Sequence, residues 1–363
     1  MRIIQVVHSF YPTLGGIENH VYWLTKELSE RNEVVVYTTG KERKDEMLGK
    51  VMVRRFPAIR FPFFSSVNLS PGLMFALLKE KGDVFHSHGF GSLMPLFTAK
   101  IAWLKRKAFV FTLHGYPQQR GGLALFQRFY ETLIAPIYLF LAAKIINVST
   151  IIPNQLANCK NKIEYIPNGV APSFTCNTPF ESRNAISYIG RLDEEKNIPL
   201  LIRAFPELRK RKLKLIVCGK DEGVKARLQS LASAENINAE FLEVPYEKVR
   251  DVYCDSKAIV LPSRYEGFPL IWLEAISCSR PMFSTRVGDY EHFFGMLFGT
   301  DADRFLFKDE KELAEKLNAF LDDEVGYERI LLAGRKTLIK EFDWASVAER
   351  TEKIYGAVAQ KSK

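Results

Sequence analysis

Short apolar runs rich in Val, Ile and Phe alternate along the chain with longer stretches in which apolar positions recur at helical spacing. This pattern predicts repeated β-α units around mostly parallel sheets. A first series of strands is expected at residues 2–8, 33–38, 51–56, 83–87, 108–113, 144–148 and 163–166. The helix after the first of them follows the Gly15-Gly16 turn and carries Val21, Leu24 and Leu28 on one face. A second series is expected at 185–189, 213–218, 239–243, 258–261 and 281–284, with helices near 197–210, 222–235, 246–255 and 269–278. Between the two lies a stretch with Pro167, Asn168, Gly169, Pro172 and Pro179 and no apolar periodicity, which reads as a linker. The expected organisation is an N-terminal domain over 1–168, a C-terminal domain over 169–344, and a last helix over 345–363 (Val347, Ile354, Val358) packing back on the first domain. The fold class is α/β. Two doubly wound domains facing each other would make a deep cleft at the carboxyl ends of their strands, where open α/β sheets bind ligands.

Composition narrows the reading. With 363 residues, 47% hydrophobic and 26% charged, disorder and fibrous architectures are excluded, and two or three domains are expected. No apolar run approaches the roughly 20 residues of a spanning helix. The start, Met1-Arg2-Ile3-Ile4-Gln5-Val6-Val7, reads as a strand and not as a leader, so a cytoplasmic protein is expected. Five cysteines (159, 176, 218, 254 and 278), odd in number and without a Cys-x-x-Cys pair, suggest reduced thiols and neither a zinc site nor disulfides.

The net charge of +9 is unevenly placed: residues 1–170 hold 21 Lys/Arg against 11 Asp/Glu, and residues 51–162 hold 14 against 3. Such a field attracts anions. It suits a solvated basic face, an anionic lipid surface or a phosphorylated substrate better than nucleic acid. Residues 54–64 interleave Arg54, Arg55 and Arg60 with Phe56, Phe61, Phe63 and Phe64, a combination expected either at a membrane interface or capping the domain core.

Gly15-Gly16 opens a helix and could bring backbone N–H groups close to an anion or a sugar, although a structural turn explains it equally well. It is neither a dinucleotide Gly-x-Gly-x-x-Gly nor a P-loop. His86, His88 and His114 end two strands. A metal reading is set aside because His86 and His88, with Ser87 between them, are expected on opposite strand faces and no fourth ligand has natural spacing. A buried structural role suits His86, whereas His114, before Gly115, is better placed for substrate. In the second half Gly190-Arg191 closes a strand and Lys196 follows, two cations that could clamp a diphosphate and neutralise charge growing on it as it leaves. Pro262-Ser-Arg-Tyr-Glu266-Gly267-Phe268-Pro269-Leu270 leads from a strand into a helix bearing Glu274, with Pro269 suited to its first turn. Free N–H groups at Phe268 and Leu270 could meet a phosphate or sugar hydroxyl. Eight residues separate the carboxylates, about 12 Å by helix rise. That spacing is too wide for an acid/base pair on one glycosidic bond and suits two hydroxyl-binding carboxylates.

The run Gly190-Arg191…Lys196, the Glu266-x7-Glu274 pair within Pro-Ser-x-x-Glu-Gly-Phe-Pro, Pro167-Asn168-Gly169-Val170, Gly15-Gly16 and Thr-Leu-His114-Gly together resemble the retaining glycosyltransferases of family four, over nearly the whole chain. The resemblance implies the GT-B fold, two Rossmann-like domains of which the C-terminal one binds a nucleotide sugar such as a UDP- or GDP-sugar and the N-terminal one an acceptor. Carried over by position, Arg191 and Lys196 would hold the diphosphate beside Gly190. Glu274 would hold the ribose, and Glu266, with Gly267, Phe268, Pro269 and Leu270, the transferred sugar. Gly16 and His114 would come from the acceptor side. No metal or other cofactor is implied, and Asp301-Ala302-Asp303 is misplaced to be the metal motif of the other major glycosyltransferase fold. The expected reaction is transfer with retention to an acceptor hydroxyl, on a lipid, a lipid-linked precursor or a glycan, by a protein peripheral on the cytoplasmic face. Two departures define the alternative of a catalytically impaired relative serving as a binding or regulatory subunit. Ser279 replaces a glycine where a left-handed cap would cost about 1 kcal/mol, and the loop Val287-Gly288-Asp289-Tyr290-Glu291 lacks the usual second glycine and proline.

Overall fold

The computed structural model describes residues 1–13, 15–61, 64–115, 128–176, 178–180 and 182–361, the side chains of 60, 61, 64–68, 155, 209–211 and 361 excepted. The chain forms two compact units, Met1–Gly169 with Trp344–Lys363, and Val170–Asp343.

The first unit runs β1 (Arg2–Val6), α1 (Gly16–Leu28), β2 (Glu33–Gly40), β3 (Lys44–Leu48), β4 (Val51–Pro57), β5 (Ile59–Phe61), β6 (Phe64–Leu69), α2 (Pro71–Lys79), β7 (Val84–His88), α3 (Met94–Leu104) and β8 (Ala108–Leu113). A π-helical turn at Tyr130–Ile134 then enters α4 (Ala135–Leu141), followed by β9 (Lys144–Asn147) and β10 (Ile163–Tyr165). Eight strands pair in the order β10-β9-β8-β7-β1-β2-β4-β3. Only β3 runs antiparallel, beside β4; β5 and β6 form a separate hairpin. Because central strands are covered on both faces, β1, β2, β7 and β8 are buried almost throughout; β8 is nearly all apolar, whereas β7 carries His86, Ser87 and His88 inside. Ile4, Val6, Phe85 and Phe111 pack under Leu73, Leu77, Ala99 and Tyr138 of the α2, α3 and α4 layer.

The second unit runs β11 (Ala185–Ile189), α5 (Ile198–Ala204), β12 (Lys214–Cys218), α6 (Lys225–Ala234), β13 (Ala239–Leu242), α7 (Tyr246–Asp255), β14 (Ala258–Leu261), α8 (Leu270–Ser277), β15 (Met282–Thr285), α9 (Tyr290–Phe298), β16 (Leu306–Phe307), α10 (Glu310–Asp322) and α11 (Glu324–Glu341). Its six strands are all parallel, in the order β13-β12-β11-β14-β15-β16. The direction of winding therefore reverses between β11 and β14, and in the first sheet between β1 and β7. Such switch points leave a crevice beyond the strand ends, where ligands of open sheets bind. A final helix, α12 (Trp344–Lys361), belongs to the first unit. It buries Trp344, Val347, Ala348, Tyr355 and Val358 against Ile3, Val21, Leu24, Val34 and Val110, covering the face opposite α3.

One expectation fails here. Cys176 and Cys254 are joined in a disulfide, with Cα atoms 5.4 Å apart, while Cys159, Cys218 and Cys278 remain thiols. A separation of 78 residues hides the pairing in sequence. It arises because the segment after Val170 lays Phe174 against Tyr246 and Tyr253 of α7, whose last turn carries Cys254.

Candidate functional site

In the second unit the loops after β11 and β14 meet at the switch point. Gly190 leaves β11 with φ 153°, and Tyr188 donates its hydroxyl to the Arg191 carbonyl at 2.6 Å, folding the loop back on its strand. Asp193 then caps a single 3-10 turn, accepting from the N–H groups of Glu195 and Lys196 at 3.0 and 3.2 Å. The loop after β14 is stitched to this turn by the Arg264 N–H, which donates to the Glu195 carbonyl at 2.8 Å. The result is one ion pair between strands: Lys196 Nζ lies 2.5 Å from Glu266 Oε1, both side chains mostly buried, and Ser263 Oγ donates to the same oxygen at 2.8 Å. Arg191 stands beside them, 3.3 Å from Asp193 and more than half exposed.

Gly288, the glycine kept in the departed loop, has φ 54° and sits so close to the Gly267 and Glu266 carbonyls that any Cβ would collide with backbone. The loop is thus held against the glutamate turn in spite of its altered sequence. Phe268 is buried among Trp272, Phe293 and Phe342 and anchors the turn on its apolar side. Pro269 precedes the helix in extended conformation, and α8 opens at Leu270, so Pro269 is its cap and not a residue of its first turn, and Glu274 lies just over one turn into the helix, short of the full helical rise expected between the two carboxylates. The Tyr253 hydroxyl donates to Glu274 Oε2 at 2.7 Å. Burial pushes the Glu274 carboxyl up to about 7, against the opposite pull of that hydrogen bond. Tyr253, Ser263 and Tyr188 were not singled out from sequence; only Ser263, inside the Pro-Ser-x-x-Glu run, had a signal. Arg280 is wholly buried and donates to the carbonyls of Tyr253, Cys254 and Thr178. Ser279 beside it adopts φ 54°, the left-handed cap expected of a glycine.

In the first unit Gly16 opens α1 with open space where a Cβ would be, so the fold itself does not require glycine there. His86 and His88 do not lie on opposite faces. A strand repeats every two residues, and their rings are 4.1 Å apart. His86 bridges Tyr355 (2.5 Å) and Thr112 (2.7 Å), the structural role expected of it. His88 bridges Gln5 (2.7 Å) and His114 Nε2 (3.2 Å), and His20, bonded to Asn168 at 2.8 Å, sets its ring edge-on to His114. Gln5 in turn donates to Tyr355 at 2.9 Å. Burial holds all four imidazoles below their ordinary range, His20 at about 4, so they are neutral at pH 7. Among the described residues, His20, His88 and His114 have donor atoms within 4.8 Å of one another, as do Cys176, Cys254 and Cys278. Two of the three sulfurs are bonded to each other, and the imidazoles are largely engaged with each other and with amide oxygens.

Within the stretch 54–64, the described residues 54–57 follow the core-capping alternative and not that of a membrane-facing patch. Arg54 pairs with Glu80 at 2.7 Å and Arg55 with Glu46 at 2.7 Å, while Phe56 is buried and stacked on Tyr37. The side chains of Arg60, Phe61, Phe63 and Phe64 lie outside the described residues. Asp303 is tied to Arg286 and Lys316 at 2.5 and 2.8 Å in an exposed ion network.

The two Rossmann-like units and their switch-point loops define a GT-B-type glycosyltransferase architecture. Residues 14–174 match the family Glycosyltransferase Family 4 and residues 175–337 match Glycosyl transferases group 1, and the chain belongs to the GT-B-fold glycosyltransferases that these families describe. Anabaena HepE in complex with UDP superposes with a TM-score of 0.77, covering 98% of this chain and 100% of that one, at 16% identity. The gpi3 subunit of phosphatidylinositol N-acetylglucosaminyltransferase from Schizosaccharomyces pombe is 24% identical over 97% of this chain and 80% of its own length. A human subunit of the enzyme of that name is 26% identical over 99% of this chain and 76% of its own length.

Proposed function

We propose that this protein transfers a sugar from a nucleoside diphosphate sugar, with retention and without a metal, to a hydroxyl of a lipid or lipid-linked acceptor. The observation that carries the reading is the Lys196–Glu266 pair locked across adjacent strand ends, with Arg191 beside it and Glu274 one helix turn behind. Lys196 and Arg191 bind the donor diphosphate and stabilise the charge that develops on it as the glycosidic bond breaks. Glu266, already oriented by Ser263, accepts a hydroxyl of the transferred sugar. Glu274 takes the ribose hydroxyls through Oε1, its other oxygen being held by Tyr253. The leaving phosphate itself removes the acceptor proton, on the face from which it departs, which gives retention without a side-chain base. Gly16, where the fold tolerates a side chain, keeps its backbone accessible to ligand, and the histidine chain from Tyr355 through Gln5 and His88 holds His114 for the acceptor side.

Support for a lipid-bearing acceptor comes from the yeast and human relatives, whose names join phosphatidylinositol to N-acetylglucosaminyl transfer. The test separates the two ends of the donor. In calorimetric titration with free UDP and GDP, Glu274→Ala should weaken binding about tenfold or more for whichever nucleotide binds, and Glu266→Ala should leave it within about twofold while abolishing transfer. Equal losses in both variants would overturn the division of roles.

A further inference from the structure

The layer of α2, α3 and α4 has an inner side that belongs to the core and an outer side that does not behave as an ordinary solvated surface. The π-helical turn places Tyr130 and Ala135, five residues apart, both inward, and the helix then buries Tyr138 and Leu139. What remains outside is a continuous apolar stripe, Phe129, Leu133, Ile137 and Phe140, at spacings of four, four and three. Phe140 is 76% exposed. Trp103 (63% exposed) and Leu104 end α3, which packs on α4. Large exposed side chains scattered singly are ordinary, but a contiguous row on packed helices marks an interaction surface.

Charge states what kind. Lys105, Arg106 and Lys107 follow Trp103 and Leu104 directly, and Lys162 Nζ bonds the Phe140 carbonyl at 2.6 Å and lies over its ring. On α2, exposed Phe75 carries Lys79 over its ring at 4.2 Å. Among residues 71–162 the acids are Glu80, Asp83 and Glu131, and Glu80 is buried in ion pairs with Arg2 and Arg54. Aromatic side chains interleaved with cations on helices that lie flat are matched by the headgroup region of an anionic bilayer. Among the described residues no helix is long and apolar enough to cross a membrane, so the contact is with its surface.

We infer that the outer side of the α2, α3 and α4 layer is the docking surface for an anionic lipid membrane. It stands in a different place from the stretch 54–64, whose Arg54, Arg55 and Phe56 are paired or buried. It rests on the reading of a lipid-bearing acceptor only for its purpose; the binding is testable by itself. The purified full chain is co-sedimented with vesicles of equal phosphatidylcholine and phosphatidylglycerol, and with phosphatidylcholine alone. Wild type should pellet with the anionic vesicles at low salt and be released as salt rises. Trp103→Ser with Phe140→Ser, both exposed and outside the core, should reduce binding at least tenfold while leaving UDP or GDP binding and the melting temperature unchanged. Wild type remaining in the supernatant, or the double variant pelleting equally, would overturn the inference. So would a concentration-dependent dimer that the same variant dissolves, since the stripe would then be an interface between copies. Vesicle binding without sugar transfer would count against the proposed activity alone, and transfer to a soluble hydroxyl without vesicle binding against this surface alone.

Discussion

Glu274 combines two properties in one side chain: a carboxyl that accepts a hydrogen bond from the Tyr253 hydroxyl and a pKa lifted by burial to about 7, from an ordinary 4.5. A carboxyl whose folded-state value is raised binds protons more readily in the native than in the unfolded chain. Its favourable contribution is complete below about pH 4.5 and is lost as pH rises through about 7. Wild-type stability should therefore decline over that window by an amount of order 1–3 kcal/mol, and denaturant titrations of Glu274→Gln should show the decline flattened. An unchanged pH slope in that variant would contradict the assignment. Ser279 offers an independent check. Its φ of 54° costs the helix end about 0.5–1 kcal/mol relative to glycine, so Ser279→Gly should raise the urea midpoint with no change in slope. Both residues were visible in sequence, the first through its spacing from Glu266 and the second through the glycine it replaces. Tyr253 was not, because nothing in its own neighbourhood marks a tyrosine that reaches a carboxylate 21 residues on.

At the scale of elements, the strands of both sheets were legible where they are buried on two faces, since Val34-Val35-Val36 or Phe109-Val110-Phe111 can be little else. Two strands of these sheets were not, nor was the separate β5–β6 hairpin. Lys44–Leu48 is an exposed antiparallel edge whose Lys-Asp-Glu start carries no apolar alternation, and Leu306–Phe307 is two residues long. The orientation of His86 and His88 was misjudged against the two-residue period of a strand, and the consequence is a hydrogen-bonded histidine chain where separate residues were expected. That chain makes a prediction about α12. Tyr355 is fully buried, and its hydroxyl joins Gln5 to His86. Tyr355→Phe strands two buried polar groups and should cost about 1–3 kcal/mol in thermal or urea unfolding. It should also lower transfer through His114 more than it lowers affinity for free nucleotide, which is assigned to the other unit. A variant as stable as wild type would show that water satisfies these groups and that the helix is not coupled to the histidines.

For the molecule as a whole, the excess of basic residues in the first half and the two cations after β11 are proposed to answer two different anions, a membrane surface and a leaving group. The Cys176–Cys254 bridge was beyond sequence reading, because the loop it closes is brought together only when Phe174 packs on α7. The central claim is that Lys196 and Arg191 act on charge that develops in the reaction. The measurement that tests it most directly is turnover of a panel of UDP- and GDP-sugars with a lipid-linked hydroxyl acceptor, following nucleotide release together with the anomeric configuration of the product. The account predicts that one donor is consumed with retained configuration, and that Lys196→Ala lowers kcat about 10²–10³-fold with the melting temperature intact. Inverted product, or wild-type turnover in Lys196→Ala, would contradict it.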